Sequence, residues 1–142
     1  MHSLRIFKSL AFVLSLSIAG SALAHPDQAA AEMADAANAF LATLKPEQKA
    51  KATFKLDDKN RPRWHFVPTE MHARHGLSFR EMQQDQQHMA YALLASVMSA
   101  KGLQKSAQIM SLEQILHDAN PKGRFARDPK WYFVRIFGKP SA

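Results

Sequence analysis

The sequence predicts a mainly α fold: a helical, bundle-like N-terminal portion followed by a C-terminal β-strand, the pattern of a fragment of a larger α+β fold. Three observations lead there. Apolar residues recur at helical spacing in several stretches between residues 27 and 119. Proline, glycine and capping residues fall between those stretches. The last apolar run, Trp131 to Phe137, instead alternates with a period of two. Nothing upstream of residue 130 reads as a second strong strand, so the N–H and C=O groups of this run call for a partner chain or for further sequence.

Residues 1–24 have the three parts of a secretory signal. Arg5 and Lys8 form a positive n-region, Leu10 to Ala19 an apolar run, and Ala22-Leu23-Ala24 the small residues of a cleavage site. Cleavage after Ala24 makes the protein periplasmic or secreted. The apolar run is shorter than the ~20 residues that span a bilayer, and no later segment approaches that length, so no transmembrane anchor is expected. The chain has no cysteine, which excludes disulfides, thiolate metal sites, a cysteine nucleophile and a lipobox anchor. Removal of the signal leaves residues 25–142 as a single mostly helical domain. Lys+Arg then falls from 19 to 17 against 12 Asp+Glu, a formal charge of +5. In an exported chain that excess does not point to nucleic acid.

In order, Asp27 to Thr43 carries Met33, Ala37, Phe40 and Leu41 at helical spacing and forms the first amphipathic helix, with Leu44 just beyond it. Lys45-Pro46-Glu47-Gln48 restarts the chain into a short helix ending near Ala52, because proline suits a first turn. Phe54 to Leu77 is turn-rich around Asp57 to Pro62 and briefly extended at Trp64 to Pro68; its aromatic content predicts an ordered loop. A third helix carries Met82, Met89, Leu93 and Val97, starting either at the Ser78/Glu81 capping box or after Gln83, with Gly102 as its left-handed C-cap. A fourth spans about Leu103 to Ala119 with Ile109, Leu112, Leu116 and Ala119 on its apolar face, a second capping box at Ser111/Gln114 offering a kink, and the two form a hairpin. Leu44-Lys45-Pro46-Glu47-Gln48 with Ala52 faintly echoes Met82-Gln83-Gln84-Asp85-Gln86 with Ala90. Shared helix-start chemistry accounts for the echo without duplication.

Histidines offer the first candidate chemistry. His72 and His75 lie three apart, a metal-ligand spacing on a helix, with Glu70 and His65 near in sequence. Pro68 and Gly76 argue against a helix there, and Arg74 between them opposes a bound cation. They are weak metal candidates, and no metal is assigned. Cleavage after Ala24 would also leave His25 as an amine-plus-imidazole copper chelator, a reading that a frayed terminus outweighs. Met82, Met89 and Met98 follow the apolar stripe of their helix, which core packing explains.

Basic and aromatic residues interleave twice, at Arg61, Arg63, Trp64, His65 and Phe66, and at Arg124, Phe125, Arg127, Trp131, Tyr132 and Arg135. In the strand, Tyr132, Val134 and Ile136 share an apolar face and Arg135 interrupts the other. The binding candidates are Trp64, His65, Arg127 and Asp128. Their plainer readings are a core anchor for Trp64 and a turn or cap for Asp128-Pro129. No nucleophile, oxyanion motif, phosphate loop or paired carboxylate forms a recognisable catalytic arrangement, so catalytic residues and cofactor stay unassigned.

Several stretches together resemble one family. They are Leu44 to Gln48 with Ala50 to Phe54, Arg63-Trp64-His65-Phe66-Val67-Pro68, Arg74 with Gly76-Leu77, Leu93-Leu94, Ser99-x-x-Gly102, Leu112-Glu113, and Arg127-Asp128-Pro129 leading through Tyr132-Phe133-Val134 to Ile136-Phe137-Gly138. The chain is similar to the N-terminal portion of the domain of unknown function 3500 family, over about Phe40 to Pro140. The resemblance implies a longer chain that continues into further strands and a paired-histidine stretch. It carries over no catalytic residue. Trp64, His65, Arg127 and Asp128 lie on the shared positions; His72 and His75 do not.

Two function classes follow. In one, an exported protein supports a site completed by missing C-terminal strands, as part of an enzyme or small-ligand binder. In the other, a periplasmic interaction module pairs its C-terminal strand with a partner protein or a second copy, as a strand-mediated homo-oligomer.

Overall fold

The computed structural model describes residues 26–141. The signal reading of residues 1–24 and the His25 chelate lie outside them. Four helices dominate: α1 (Pro26–Thr43), α2 (Pro46–Ala52), α3 (Gln84–Val97) and α4 (Ala100–Ala119). Four two-residue strands accompany them: β1 (Thr53–Phe54), β2 (Leu77–Ser78), β3 (Phe133–Val134) and β4 (Ile136–Phe137). The fold is mainly α, as the periodicity predicts.

α1 packs along α3, and the core gathers where α2, β2 and the first turn of α3 meet them. Phe40 and Leu77 are fully buried there, with Leu41, Leu44, Ala52, Phe79, Met82, Ala90 and Met110 around them. Burial of a side chain the size of Phe or Leu stabilises by about 1.5–3 kcal/mol, so these two anchor the front of the molecule. The Phe79 and Tyr91 rings meet at 5.2 Å between centroids, and the Tyr91 hydroxyl reaches the Met110 sulfur at 3.7 Å, tying α4 to α3.

Of the two starts offered for the third helix, the chain uses both in succession. Glu81 turns back to accept the Ser78 N–H at 3.2 Å, closing one 3₁₀ turn, Phe79–Glu81; Met82 is then extended, and α3 begins at Gln84. Gly102 does not cap α3. That helix ends at Val97, and Gly102 lies in the first turn of α4, its N–H donated to the hydroxyl of the N-cap Ser99 at 3.2 Å. A serine N-cap satisfies one of the orphan donors of a helix start, which is why the break falls before the glycine. α4 runs unbroken through Ser111, whose hydroxyl donates to the Gln108 carbonyl at 2.8 Å.

Two packing expectations need correction. Met110, not the Ile109/Leu112/Leu116 stripe, is the buried side chain of α4; Ile109, Leu112, Ile115 and Leu116 are all about half exposed. The terminal strand also has partners within the chain. β3 pairs antiparallel with β2, Leu77 opposite Val134, and β4 pairs parallel with β1, Thr53 opposite Ile136. Both partners are two residues long and flank the loop, too short to register as period-two runs. The alternation itself holds: Tyr132, Val134 and Ile136 pack against the core.

Candidate ligand-binding groove

The loop between β1 and β2 is built from turns held by their own polar groups. Asp58 accepts the Asn60 N–H through its carboxylate at 2.7 Å and the Arg61 N–H through its carbonyl at 2.9 Å, and the Arg63 N–H reaches the Asn60 carbonyl at 3.1 Å. Such Asx-type bonds are how Asp and Asn favour turns. Further along, Arg74 lies across the loop. Its guanidinium donates to the carbonyls of His65 and Val67 and, at 3.4 Å, to the Thr69 hydroxyl. Gly76 then brings the chain into the sheet with φ +119°; a Cβ there would lie 2.7 Å from the Arg135 Cγ and from the Val134 carbonyl oxygen. Only glycine fits so close an approach at that φ.

The segment from Phe125 to Arg135 runs opposite this loop. Glu70 reaches across to accept the Ala126 N–H at 2.6 Å, and Arg135 donates back to the carbonyls of Asn60 and Arg63, both at 3.1 Å. Arg127 pairs with Glu113 of α4 at 3.3 Å. Asp128 accepts the Lys130 N–H at 2.6 Å and pairs with Arg80, whose guanidinium sits 4.3 Å from the centre of the Trp131 ring. Between loop, segment and α4 lies a groove of about 530 Å³. That is within the roughly 300–1,000 Å³ usual for small-molecule sites.

Trp64, His65, Arg127 and Asp128 all line this groove. Two basic-aromatic stretches, some sixty residues apart in sequence, thus form facing walls. Trp64 is no core anchor: it is 72% exposed and Phe66 is 92% exposed, because the loop's hydrogen bonds hold the backbone and leave both rings outside. Asp128 does act as a turn cap, and its remaining oxygen goes to Arg80. A family model described as a protein of unknown function, DUF3500, matches residues 26–142. The chain belongs to the DUF3500 family. No curated protein and no solved structure matches it.

In this DUF3500 chain His72 turns toward His65, ring centroids 3.5 Å apart, while His75 lines the groove. Among the described residues no three His, Asp or Glu side chains gather as a metal site. Burial holds the His65 pKa below its ordinary value, and His72, Arg74 and Arg63 push it further down. Glu70 is held low by the Ala126 N–H, its own N–H, Arg127 and Arg80. For Asp128, burial raises the pKa, but the Lys130 N–H and Arg80 outweigh it, so the carboxylate stays ionised. Burial, with Glu113, raises Tyr132 and keeps its phenol neutral.

Sequence reasoning did not single out Arg74, Arg135, Glu70 and Glu113 as parts of the site. Arg135 had a signal, the one charge interrupting a strand face. Arg74 is marked only by its place in the stretches that carry the family resemblance, since hydrogen bonds from a side chain to loop carbonyls have no sequence period.

Proposed function

We propose that this DUF3500 chain is exported, with cleavage after Ala24, and supplies one side of a small-ligand site in the groove, the site being completed by further strands. The observation that carries the reading is the convergence of Trp64 and His65 with Arg127 and Asp128 on one groove. Exposed indole and phenyl rings beside fixed guanidiniums are surfaces a ligand or a covering strand would bury. The absence among the described residues of any helix long and apolar enough to cross a membrane fits export but does not carry it.

The test is a small-molecule screen on the purified protein, followed through the indole N–H resonances of Trp64 and Trp131. Compounds that shift both should also raise the melting temperature, and Trp64→Ala should abolish the shift of Trp131 while leaving the circular dichroism unchanged. A diverse screen in which no compound moves either indole ends the reading.

A second reading is an interaction module, and the observation favouring it is α4. Ile109, Leu112, Ile115 and Leu116 lie within about a third of the helix circumference, uncovered. A second copy fits that stripe. Paired antiparallel, Lys101 and Lys105 of each α4 would approach the carbonyl end of the other, where cations are favoured.

A further inference from the structure

The charges along the groove are unevenly paired. Each of its three lining carboxylates is engaged: Glu70 by the Ala126 N–H, Glu113 by Arg127, and Asp128 by Arg80 and the Lys130 N–H. The guanidiniums are not matched in the same way. Arg74 donates only to two carbonyls and a hydroxyl, Arg135 donates only to two carbonyls, and Arg63 makes no side-chain hydrogen bond among the described residues. Uncharged acceptors orient a guanidinium without neutralising it. Three full positive charges therefore stand on the groove wall beside no free carboxylate, and Arg127 keeps donors beyond its single bond to Glu113. The His65 pKa is lowered first by burial and then by His72, with Arg74 and Arg63 adding to the effect.

We propose that the groove binds a planar aromatic anion, its ring stacked on the exposed Trp64 indole and its charge met by Arg63 and Arg127. The proposal rests on the ligand-site reading and adds its chemistry. Arg74 and Arg135 act as positioning residues: they hold the loop carbonyls and supply field, while Arg63 and Arg127 make the contact. Guanidinium forks match a carboxylate or phosphate bidentately, which selects anions over neutral isosteres. A flat ring suits the site because an exposed indole gains by stacking, and Phe66 two residues on presents a second ring.

The experiment compares three probes by the Trp64 indole N–H shift: 2-naphthoate, 2-naphthamide and cyclohexanecarboxylate. The naphthoate should bind about tenfold more tightly than the amide, the usual scale for one charge-assisted contact, and about tenfold more tightly than cyclohexanecarboxylate, the scale of one aromatic stacking contact. That advantage should shrink when salt is raised from about 0.05 to about 0.5 M. Arg63→Gln, whose side chain holds no other part of the loop, should bring naphthoate down to the amide's affinity with the spectrum otherwise unchanged; Arg127→Gln is the second variant. Equal binding of naphthoate and naphthamide overturns the anion class while the ligand-site reading stands. Equal binding of cyclohexanecarboxylate and naphthoate overturns the planar ring. If none of the three binds and the screen described above also yields nothing, both readings fall.

Discussion

The side-chain amides of Gln48 and Gln86 hydrogen-bond to each other in both directions, each nitrogen 2.9 Å from the other's oxygen. Each oxygen also accepts an N–H from its own helix N-cap, Lys45 at 3.0 Å and Gln83 at 2.8 Å. Each nitrogen donates once more to a carbonyl two residues before the other's N-cap, Glu81 at 2.6 Å and Thr43 at 2.7 Å. The starts of α2 and α3 are thus joined by a locally two-fold arrangement, flanked by the buried pairs Leu44 with Met82 and Ala52 with Ala90. The faint sequence echo between these starts is this arrangement. A buried network with every donor and acceptor satisfied rigidifies the two helix starts against each other. Removal of one amide leaves one donor and one acceptor of the other, one N-cap N–H and one carbonyl unpaired, which costs roughly 1–3 kcal/mol. Gln48→Leu and Gln86→Leu should each destabilise by about that amount, and the double variant by clearly less than their sum, with a coupling of about 0.5–3 kcal/mol. Urea unfolding of the four proteins measures it. Additive losses would mean that the two amides act separately.

The close approach of the tilted His65 and His72 rings gives the loop a pH dependence. The folded pKa of His65 is depressed, so the unfolded loop binds its proton more readily and stability rises with pH. The contribution is fully present above the unfolded value of 6.5 and is lost as pH falls through the folded pKa. Amide protection factors at residues 63–75, corrected for the intrinsic slowing of exchange with falling pH, should therefore drop below about pH 6.5 more than those in the helices. His72→Gln removes one of the neighbouring charges and should raise the His65 pKa in an NMR titration. An unchanged His65 titration in that variant would refute the coupling.

α4 carries a packed side chain and a half-exposed apolar stripe on one helix. Met110 is buried and touches Tyr91, so Met110→Ala should cost about 2–5 kcal/mol. Leu112→Glu changes an exposed position and should alter stability by less than about 0.5 kcal/mol. If a second copy covers the stripe, Leu112→Glu should also convert a dimer to monomer in sedimentation experiments. A wild-type protein that stays monomeric at high concentration would exclude that second reading.

How far the sequence predicts this fold depends on the range of the interaction. α1 and α2 begin and end as proline placement and spacing predict, because those signals are local. The apolar face of Tyr132, Val134 and Ile136 is also legible, since strand alternation is local. The partners of that strand are not: β1 and β2 are two residues each, and their pairing is decided by tertiary approach through Gly76. Gly102 misleads because one residue type serves both helix ends, and only the Ser99 hydroxyl decides between them. The four binding candidates could be picked out singly. Their meeting in one groove depends on Arg135, Glu70 and Glu113, whose long-range bonds have no sequence period.

Gly76 is the position where the loop, the sheet and the groove share one constraint. Its φ of +119° is one that side-chain-bearing residues rarely adopt, and a Cβ would meet both the Val134 carbonyl oxygen and the Arg135 Cγ at 2.7 Å. The Arg135 chain can shift aside. The carbonyl belongs to β3, where it stands opposite Leu77, and cannot move without disturbing the β2/β3 pairing. Gly76→Ala should therefore destabilise by about 1–3 kcal/mol from strain alone. It should also loosen the hold of Arg135 on the Asn60 and Arg63 carbonyls, so that exchange protection falls in the groove loop as well as in the strands. Alanine at Gly102, which has φ in the helical range and no contact closer than 3.4 Å, is the matched control and should be neutral or mildly stabilising. Equal effects at the two positions in thermal unfolding would show that the approach of Gly76 to β3 does not hold the sheet in register.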